Sequence, residues 1–175
     1  MNDAPTAVND TRTGSEDTPA NWNVRSNDFD IDGTGETLVN NSWTTPLHGV
    51  LTVFNSVTLT YTPTLNYCGT DTFDYTIKDQ NNAVSNTGTV SITVTCVNDA
   101  PVVVDDSGSI SQSGTGFLAV LTNDTDPDTG DTKTISGYTL PSNGSIIKTA
   151  TGFTYTANST FCGVDTFTYR ITDTA

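Results

Sequence analysis

Basic side chains are scarce in this chain. Six Lys and Arg stand against 20 Asp and Glu in 175 residues, for a net charge of −14. A surface that poor in cations excludes nucleic acid as a partner, because phosphates are held by Lys and Arg. It equally argues against binding to anionic membrane surfaces. There is a single histidine, His48, and no Gly-x-Ser-x-Gly motif, so no nucleophile and base can be paired. The stretch Ser113-Gly114-Thr115-Gly116 is too short for a phosphate loop and lacks the following Lys. Carboxylates are plentiful, but nothing in the sequence sets two of them across a cleft, as glycoside hydrolysis requires. The inventory therefore reads as non-enzymatic. No apolar run approaches the length of a bilayer span, and the residues after Met1 are polar and unlike a signal peptide. Direct membrane insertion is not expected, and any localisation signal is expected elsewhere. The three cysteines contain no Cys-x-x-Cys pair, which leaves no ordinary zinc pattern.

What is present is a repeat. Asn2-Asp3-Ala4-Pro5 returns as Asn98-Asp99-Ala100-Pro101, 96 residues later, and Asn27-Asp28 returns as Asn123-Asp124 at the same offset. Pro46-Leu47-His48-Gly49 returns as Pro141-Ser142-Asn143-Gly144 at an offset of 95. The longest match is Tyr67-Cys68-Gly69-Thr70-Asp71-Thr72-Phe73-Asp74-Tyr75 against Phe161-Cys162-Gly163-Val164-Asp165-Thr166-Phe167-Thr168-Tyr169, at 94. Two single-residue deletions in loops account for the drift. The chain thus reads as one module, residues 1–97, and most of a second, residues 98–175.

Thr is the commonest residue, with Asn, Asp, Gly and Ser also abundant, and no stretch has sustained helical periodicity. Short alternating runs predict strands at Thr6–Thr13, Ala20–Arg25, Glu36–Thr44, Val50–Phe54, Val57–Tyr61, Thr72–Lys78 and Thr87–Thr95, with turn residues between them. About seven short strands spaced in this way predict an Ig-like Greek-key sandwich. In the second module the same order predicts strands at Val102–Ser111, Gly116–Leu121, Thr132–Tyr138, Ser145–Lys148, Gly152–Thr156 and Thr166–Ile171. The counterpart of the seventh strand is expected to be lacking. That would leave the edge of the sixth open as a template for another strand. The expected fold class is all-β: two tandem Ig-like or cadherin-like sandwiches, the second without its last strand.

These motifs carry a family resemblance. Asp-Thr-Pro, Asn-Asp-x-Asp-x-Asp, Tyr-Thr-Pro, Cys-Gly-x-Asp-x-Phe-x-Tyr and Val-Asn-Asp-Ala-Pro together resemble the bacterial cadherin-like and Ig-like tandem repeats of giant surface adhesins. The version with paired cysteines resembles repeats in adhesins of gliding bacteria. The resemblance covers essentially the whole chain. It implies extracellular seven-strand modules at the cell surface, used in long arrays and often with calcium.

In such a sandwich the chain enters at one end, to which the loop after the second strand returns. The loops after the first and fifth strands lie at the other end, where the last strand leaves. Glu16, Asp17 and Asp71 then fall at the far end of the first module. Asn123, Asp124, Asp126 and Asp128 fall at the near end of the second, and Asn98 and Asp99 run between. If the modules stack end to end, these oxygens suffice for Ca²⁺, which takes 6–8 oxygen ligands. True cadherins draw ligands from the same four elements, so the resemblance supports the map. The alternative is a solvated acidic loop in which Asp caps its own backbone. Asp28, Asp30 and Asp32 form a weaker equivalent at the top of the first module. Asp30-Ile31-Asp32-Gly33 looks like the start of an EF-hand, but no Glu stands at the twelfth loop position. Gln112-Ser113 replaces Glu16-Asp17 in the second module, a departure from the ligand pattern.

Cys68 and Cys96 belong at the same end of the first module, so a disulfide closing 28 residues is geometrically sensible. It would contribute on the order of 3 kcal/mol and fits an oxidising setting. Cys162 matches Cys68, and its partner would lie in the lacking strand. Asp71 with Tyr75, and Asp165 with Tyr169, resemble the corner before the sixth strand, where a Tyr hydroxyl bonds back to nearby backbone. Asp71 suits either that role or calcium.

The function so predicted is structural: repeats of a large cell-surface adhesin, stiffened by calcium and a disulfide, serving adhesion or surface motility. Their partners would be neighbouring repeats, with surface glycans or other cells engaged through other domains. Two alternatives stand beside it. One is a carbohydrate-binding module using Trp43, and the other is a subunit of a strand-exchanged surface filament.

Overall fold

Apolar and polar residues alternate most regularly near the end of the first repeat, and the longest strands form there. The computed structural model describes residues 2–32, 39–55 and 57–174, and divides into two units, Met1–Val97 and Asn98–Ala175. The first unit contains β1 (Asp10–Ser15), β2 (Ala20–Trp22), β3 (Val39–Trp43), β4 (Gly49–Val53), β5 (Leu59–Pro63), β6 (Gly69–Lys78) and β7 (Gly88–Thr95). The start of the predicted third strand, residues 36–38, and the end of the acidic loop, residues 33–35, lie outside the described residues.

Two sheets result, ordered β1-β7-β6-β3 and β2-β5-β4. β1 runs parallel to β7, and the other pairs are antiparallel. The inward residues Phe73, Tyr75 and Ile77 of β6 and Val90, Ile92 and Val94 of β7 meet Leu59 and Tyr61 of β5, with Ala7 and Val24, in one core. Trp22, Trp43, Leu51 and Tyr67 pack against its margins. Gly49 is required by this packing, because a Cβ there would lie 2.4 Å from the ring of Tyr61.

The second unit contains β8 (Thr115–Leu118), β9 (Thr134–Tyr138), β10 (Gly144–Lys148), β11 (Phe153–Ala157) and β12 (Tyr169–Thr172). Its sheets are β10-β11-β8 and β12-β9, matching β4-β5-β2 and the β6-β3 pair. The core holds Val120, Ile135, Ile146, Phe153 and Tyr155, flanked by Phe167, Tyr169 and Ile171. Gly144 repeats the role of Gly49, with a Cβ position 2.4 Å from the Tyr155 ring.

Two expectations are corrected here. Val102–Ser111 is not a strand: it makes only an isolated bridge, Val102 with Thr125, the counterpart of Thr6 with Phe29. The last strand begins at Tyr169 rather than Thr166. Both differences have one cause. In the first unit β1 and the leading half of β6 are held by β7, and among the described residues the second unit has no strand in that place. Only the trailing half of the sixth strand keeps a ladder, because its partner is β9.

Candidate metal centre

Each unit gathers carboxylates at the end where its chain begins, and the two sets correspond residue by residue. In the second unit Asp126 Oδ1 accepts the Asp128 N–H at 3.0 Å, an Asx turn. Asp128 Oδ2 accepts the Asp99 N–H at 2.6 Å. In the first unit Asp30 Oδ1 accepts the Asp32 N–H at 3.0 Å, and Asp32 Oδ2 accepts the Asp3 N–H at 2.5 Å. The second oxygens of Asp30 and Asp126 are buried without a hydrogen-bond partner among the described residues. A buried carboxylate oxygen left in that state is costly unless a cation or water meets it.

More acids join than the sequence had pointed to. Asn2 Nδ2 donates to Asp79 Oδ2 at 2.7 Å, and Asn98 Nδ2 donates to Asp173 Oδ1 at 3.4 Å, so Asp79 and Asp173 sit at the same ends. Asp131 is a further member. Its carboxyl is pushed up by desolvation, then by the negative charges of Asp128, Asp126 and Asp173. At Asp79 burial works upward, but hydrogen bonds from Asn2 and the backbone of Ala83, Asn81 and Asn82 outweigh it and hold the carboxyl low.

Other predicted ligands are occupied by structural bonds. Asp124 is 3% exposed. Its carboxylate accepts the Val104 N–H at 2.8 Å and the Tyr169 hydroxyl at 3.3 Å. Asp28 Oδ1 likewise accepts from Val8 N and the Tyr75 hydroxyl, while its Oδ2 is buried and unbonded. Burial raises the Asp28 carboxyl, partly offset by those two bonds and by Arg25. Asn123 donates its amide to the carbonyls of Val104 and Asp105.

Asp71, 4% exposed, accepts from the backbone of Leu47, His48 and Thr72 and from the Tyr61 hydroxyl. Of its two predicted roles it fills the structural one. Tyr61 reaches Asp71, and Tyr155 reaches Asp165 at 2.8 Å. Tyr75 instead bonds to the carbonyls of Val8 and Val24 and to Asp10 and Asp28. Tyr169 repeats this with Val104, Val120, Asp106 and Asp124. Each of these two hydroxyls ties the loop that carries the acids to the body of its unit. Burial, followed by the adjacent carboxylates, raises both phenols strongly.

At the trailing end of the first unit, Glu16 is 3% exposed and its Oε1 accepts the Val97 N–H at 2.6 Å. Asp17 has φ 57° and accepts the Asn66 N–H at 2.9 Å. Cys68 and Cys96 form a disulfide with Cα atoms 4.9 Å apart, and the Glu16 carboxylate lies beside it. Cys162 is free and exposed. Trp43 is half-buried against the core and walls a shallow groove with Ser42, Thr44, Asp74 and Thr87.

The sandwich topology and the acidic ends define a class: tandem β-sandwich repeats. Residues 2–96 match the model of the bacterial cadherin-like domain, and residues 98–175 match that of the bacterial Ig domain. The chain belongs to the bacterial cadherin-like family. Both families are of non-catalytic domains, typically extracellular, and cadherin-like domains generally bind calcium. Among the described residues no helix is long and apolar enough to cross a membrane.

No curated protein is similar enough to count as a relative. Among solved structures, the endo-fucoidan hydrolase MfFcnA4_H294Q from glycoside hydrolase family 107 is 18% identical, with a TM-score of 0.40, over 98% of this chain and 27% of that one. The endo-fucoidan hydrolase MfFcnA9 is 14% identical, with a TM-score of 0.39, over 99% of this chain and 34% of that one. A chimeric titin Z1Z2 is 12% identical, with a TM-score of 0.34, over 97% and 95%. The chain spans about a quarter to a third of the hydrolases it matches, and likeness at this level transfers no activity.

Proposed function

We propose that this chain is a non-enzymatic extracellular segment of a large bacterial surface adhesin, whose repeats take up Ca²⁺ at their acidic leading ends and serve cell adhesion or surface motility. One observation carries the reading. The same set of three acids, Asp3, Asp30 and Asp32 in one unit and Asp99, Asp126 and Asp128 in the other, is held by the same backbone bonds. In each set the middle acid has a buried oxygen without a partner. Hard cations favour such all-oxygen sets. Asp131 and Asp173 supply further carboxylates in the second unit, and their mutual repulsion is what a bound cation would relieve.

In the finer form of this proposal, consecutive repeats share the ion, with Glu16 contributed from the trailing end of the repeat before. The disulfide of Cys68 and Cys96 then stiffens that end. Thermal melts with millimolar Ca²⁺ and with chelator test the binding: Ca²⁺ is expected to raise the midpoint and chelator to reverse it. Equal midpoints under the two conditions would remove calcium from the account. Solution scattering under the same conditions tests the sharing, because a shared ion narrows the distribution of overall dimensions.

A further inference from the structure

Charge is missing from one long stretch of this acidic chain. Residues 37–70 contain no Asp, Glu, Lys or Arg, although the whole chain carries −14. The stretch holds β3, β4 and β5. Among the described residues β4 ends the sheet order β2-β5-β4, so its far side is an open edge. Such an edge presents unpaired N–H and C=O groups to any strand that reaches it.

The ladder fixes which groups those are. Thr64 N donates to His48 O at 2.9 Å and Phe54 N donates to Thr58 O at 3.1 Å, at the two ends of the β4–β5 pairing. Antiparallel pairs alternate between bonded and non-bonded, so between these ends Val50 and Thr52 bond across to Thr62 and Thr60. Gly49, Leu51 and Val53 turn their N–H and C=O away from β5. Pro63, which has no N–H, accordingly stands opposite Gly49. On the outer face of the sheet Val50 and Phe54, 58% and 63% exposed, flank Thr52.

The other edges of the first unit are blunted. β1 carries the Asp10–Arg12 ion pair, β2 has three residues, and the register of β3 is broken between Asn40 and Ser42. Charge, shortness and irregularity each discourage edge pairing. In the second unit β10 is the counterpart of β4, and Lys148 stands 95 residues on from Val53. A lysine in an edge strand opposes pairing, and β4 has none.

We propose that β4 is a self-association site, pairing antiparallel with β4 of a second copy of this chain. Two molecules of −14 repel over most of their surfaces, and an uncharged stretch lets them touch at least cost. The strand is also complementary to itself. With a two-fold axis at Thr52, Leu51 of each copy meets Val53 of the other, and the two exchange both backbone bonds. Val50 then packs on Phe54 of the other copy, and the two Thr52 side chains face each other. The two β2-β5-β4 sheets join as one. The contact is smaller than a standard interface, so the dimer is weak. It is independent of the calcium reading, since β4 carries no carboxylate.

The test is sedimentation of the intact chain from about 1 μM to about 1 mM, with Cys162→Ser so that the exposed thiol forms no disulfide dimers. A dimer is expected within that range, strengthened by salt, which screens the repulsion between copies. Hydrogen exchange is expected to slow with concentration at Leu51 and Val53. Thr52 is exposed, so Thr52→Lys and Thr52→Glu leave the fold intact. Each alone sets like charges opposite each other at the axis and is expected to weaken the dimer about tenfold or more. An equimolar mixture of the two sets opposite charges there and is expected to restore it. A chain monomeric to the top of the range, dimers without protection at Leu51 and Val53, or dimers that the Thr52 variants leave unchanged would overturn the proposal. So would a mixture no better associated than its components, because that outcome places the contact away from the Thr52 axis.

Discussion

The two units share a plan, but among the described residues the second has no counterpart of β1 or of β7, and the comparison shows what β7 does. In the first unit β7 closes a four-stranded sheet and supplies Val90, Ile92 and Val94 to the core. In the second, Phe153, Tyr155 and Val120 remain buried around a pair of smaller sheets, while the segment matching β1 lies exposed. The central strand therefore organises its neighbours as well as pairing with them. What does not depend on it is the acidic leading end: the Asx turn, the backbone bond to the middle of the Asn-Asp-Ala motif and the tyrosine that anchors the loop are alike in both units.

The largest effect expected from breaking this comparison is in the core. Phe73→Ala removes a fully buried ring and should cost the first unit about 3–5 kcal/mol, whereas Phe167→Ala should cost the second distinctly less. Both tryptophans, Trp22 and Trp43, belong to the first unit, so fluorescence follows its denaturation and hydrogen exchange follows the other.

Next is the disulfide. Replacing Cys68 and Cys96 by Ser should destabilise the first unit by about 3 kcal/mol through the freed 28-residue loop. Reductant should reproduce this while leaving amide exchange in the second unit unchanged.

Tyr75→Phe should cost about 1–2 kcal/mol, since the buried acceptors it serves lose their donor. It should also loosen the acidic loop, visible as faster exchange at the Val8 amide, which Asp28 accepts.

The smallest effect concerns acid. The Asp165 carboxyl is held low; burial pushes upward but is outweighed by the bonds from Tyr155, Asn143, Ser142 and Thr166. A depressed carboxyl gives stability that is present above its unfolded value and lost as pH falls through the folded one. The second unit should therefore weaken below about pH 4, and Asp165→Asn should flatten that limb. Asp10 has the opposite sign. Burial raises it, only partly offset by Arg12 and Tyr75, so its contribution is present at low pH and lost as pH rises through its raised value.

Much of this was legible in the chain. The repeat offset, the strand centres and the Cys68–Cys96 bond follow from alternation, turn residues and the topology they imply. The loss of the strand at Val102–Ser111 was not, because alternation marks a face and not a partner; that segment needs β7's counterpart to ladder against. Which phenol reaches Asp71 was not legible for a related reason. Whether Tyr61 or Tyr75 reaches Asp71 depends on the placement of β5 against the 47–48 turn, which no local pattern records. Asp79 and Asp173 were missed because pairing of the sixth strand with the third, not proximity in sequence, carries them to the leading ends, whereas Asp131 lies in the same loop as Asp126 and Asp128. A signal existed in retrospect: Asp79 and Asp173 stand at the same 94-residue offset as the tyrosines before them.

The most direct test of the account is calorimetric titration of the intact chain with Ca²⁺, alongside Asp126→Asn and Asp30→Asn variants. The account predicts uptake with a dissociation constant of about 10⁻⁴–10⁻³ M, as in extracellular modules, with the second-unit component lost in Asp126→Asn and the weaker first-unit component lost in Asp30→Asn. Absence of any saturable heat at millimolar Ca²⁺, or uptake unchanged in both variants, would contradict it.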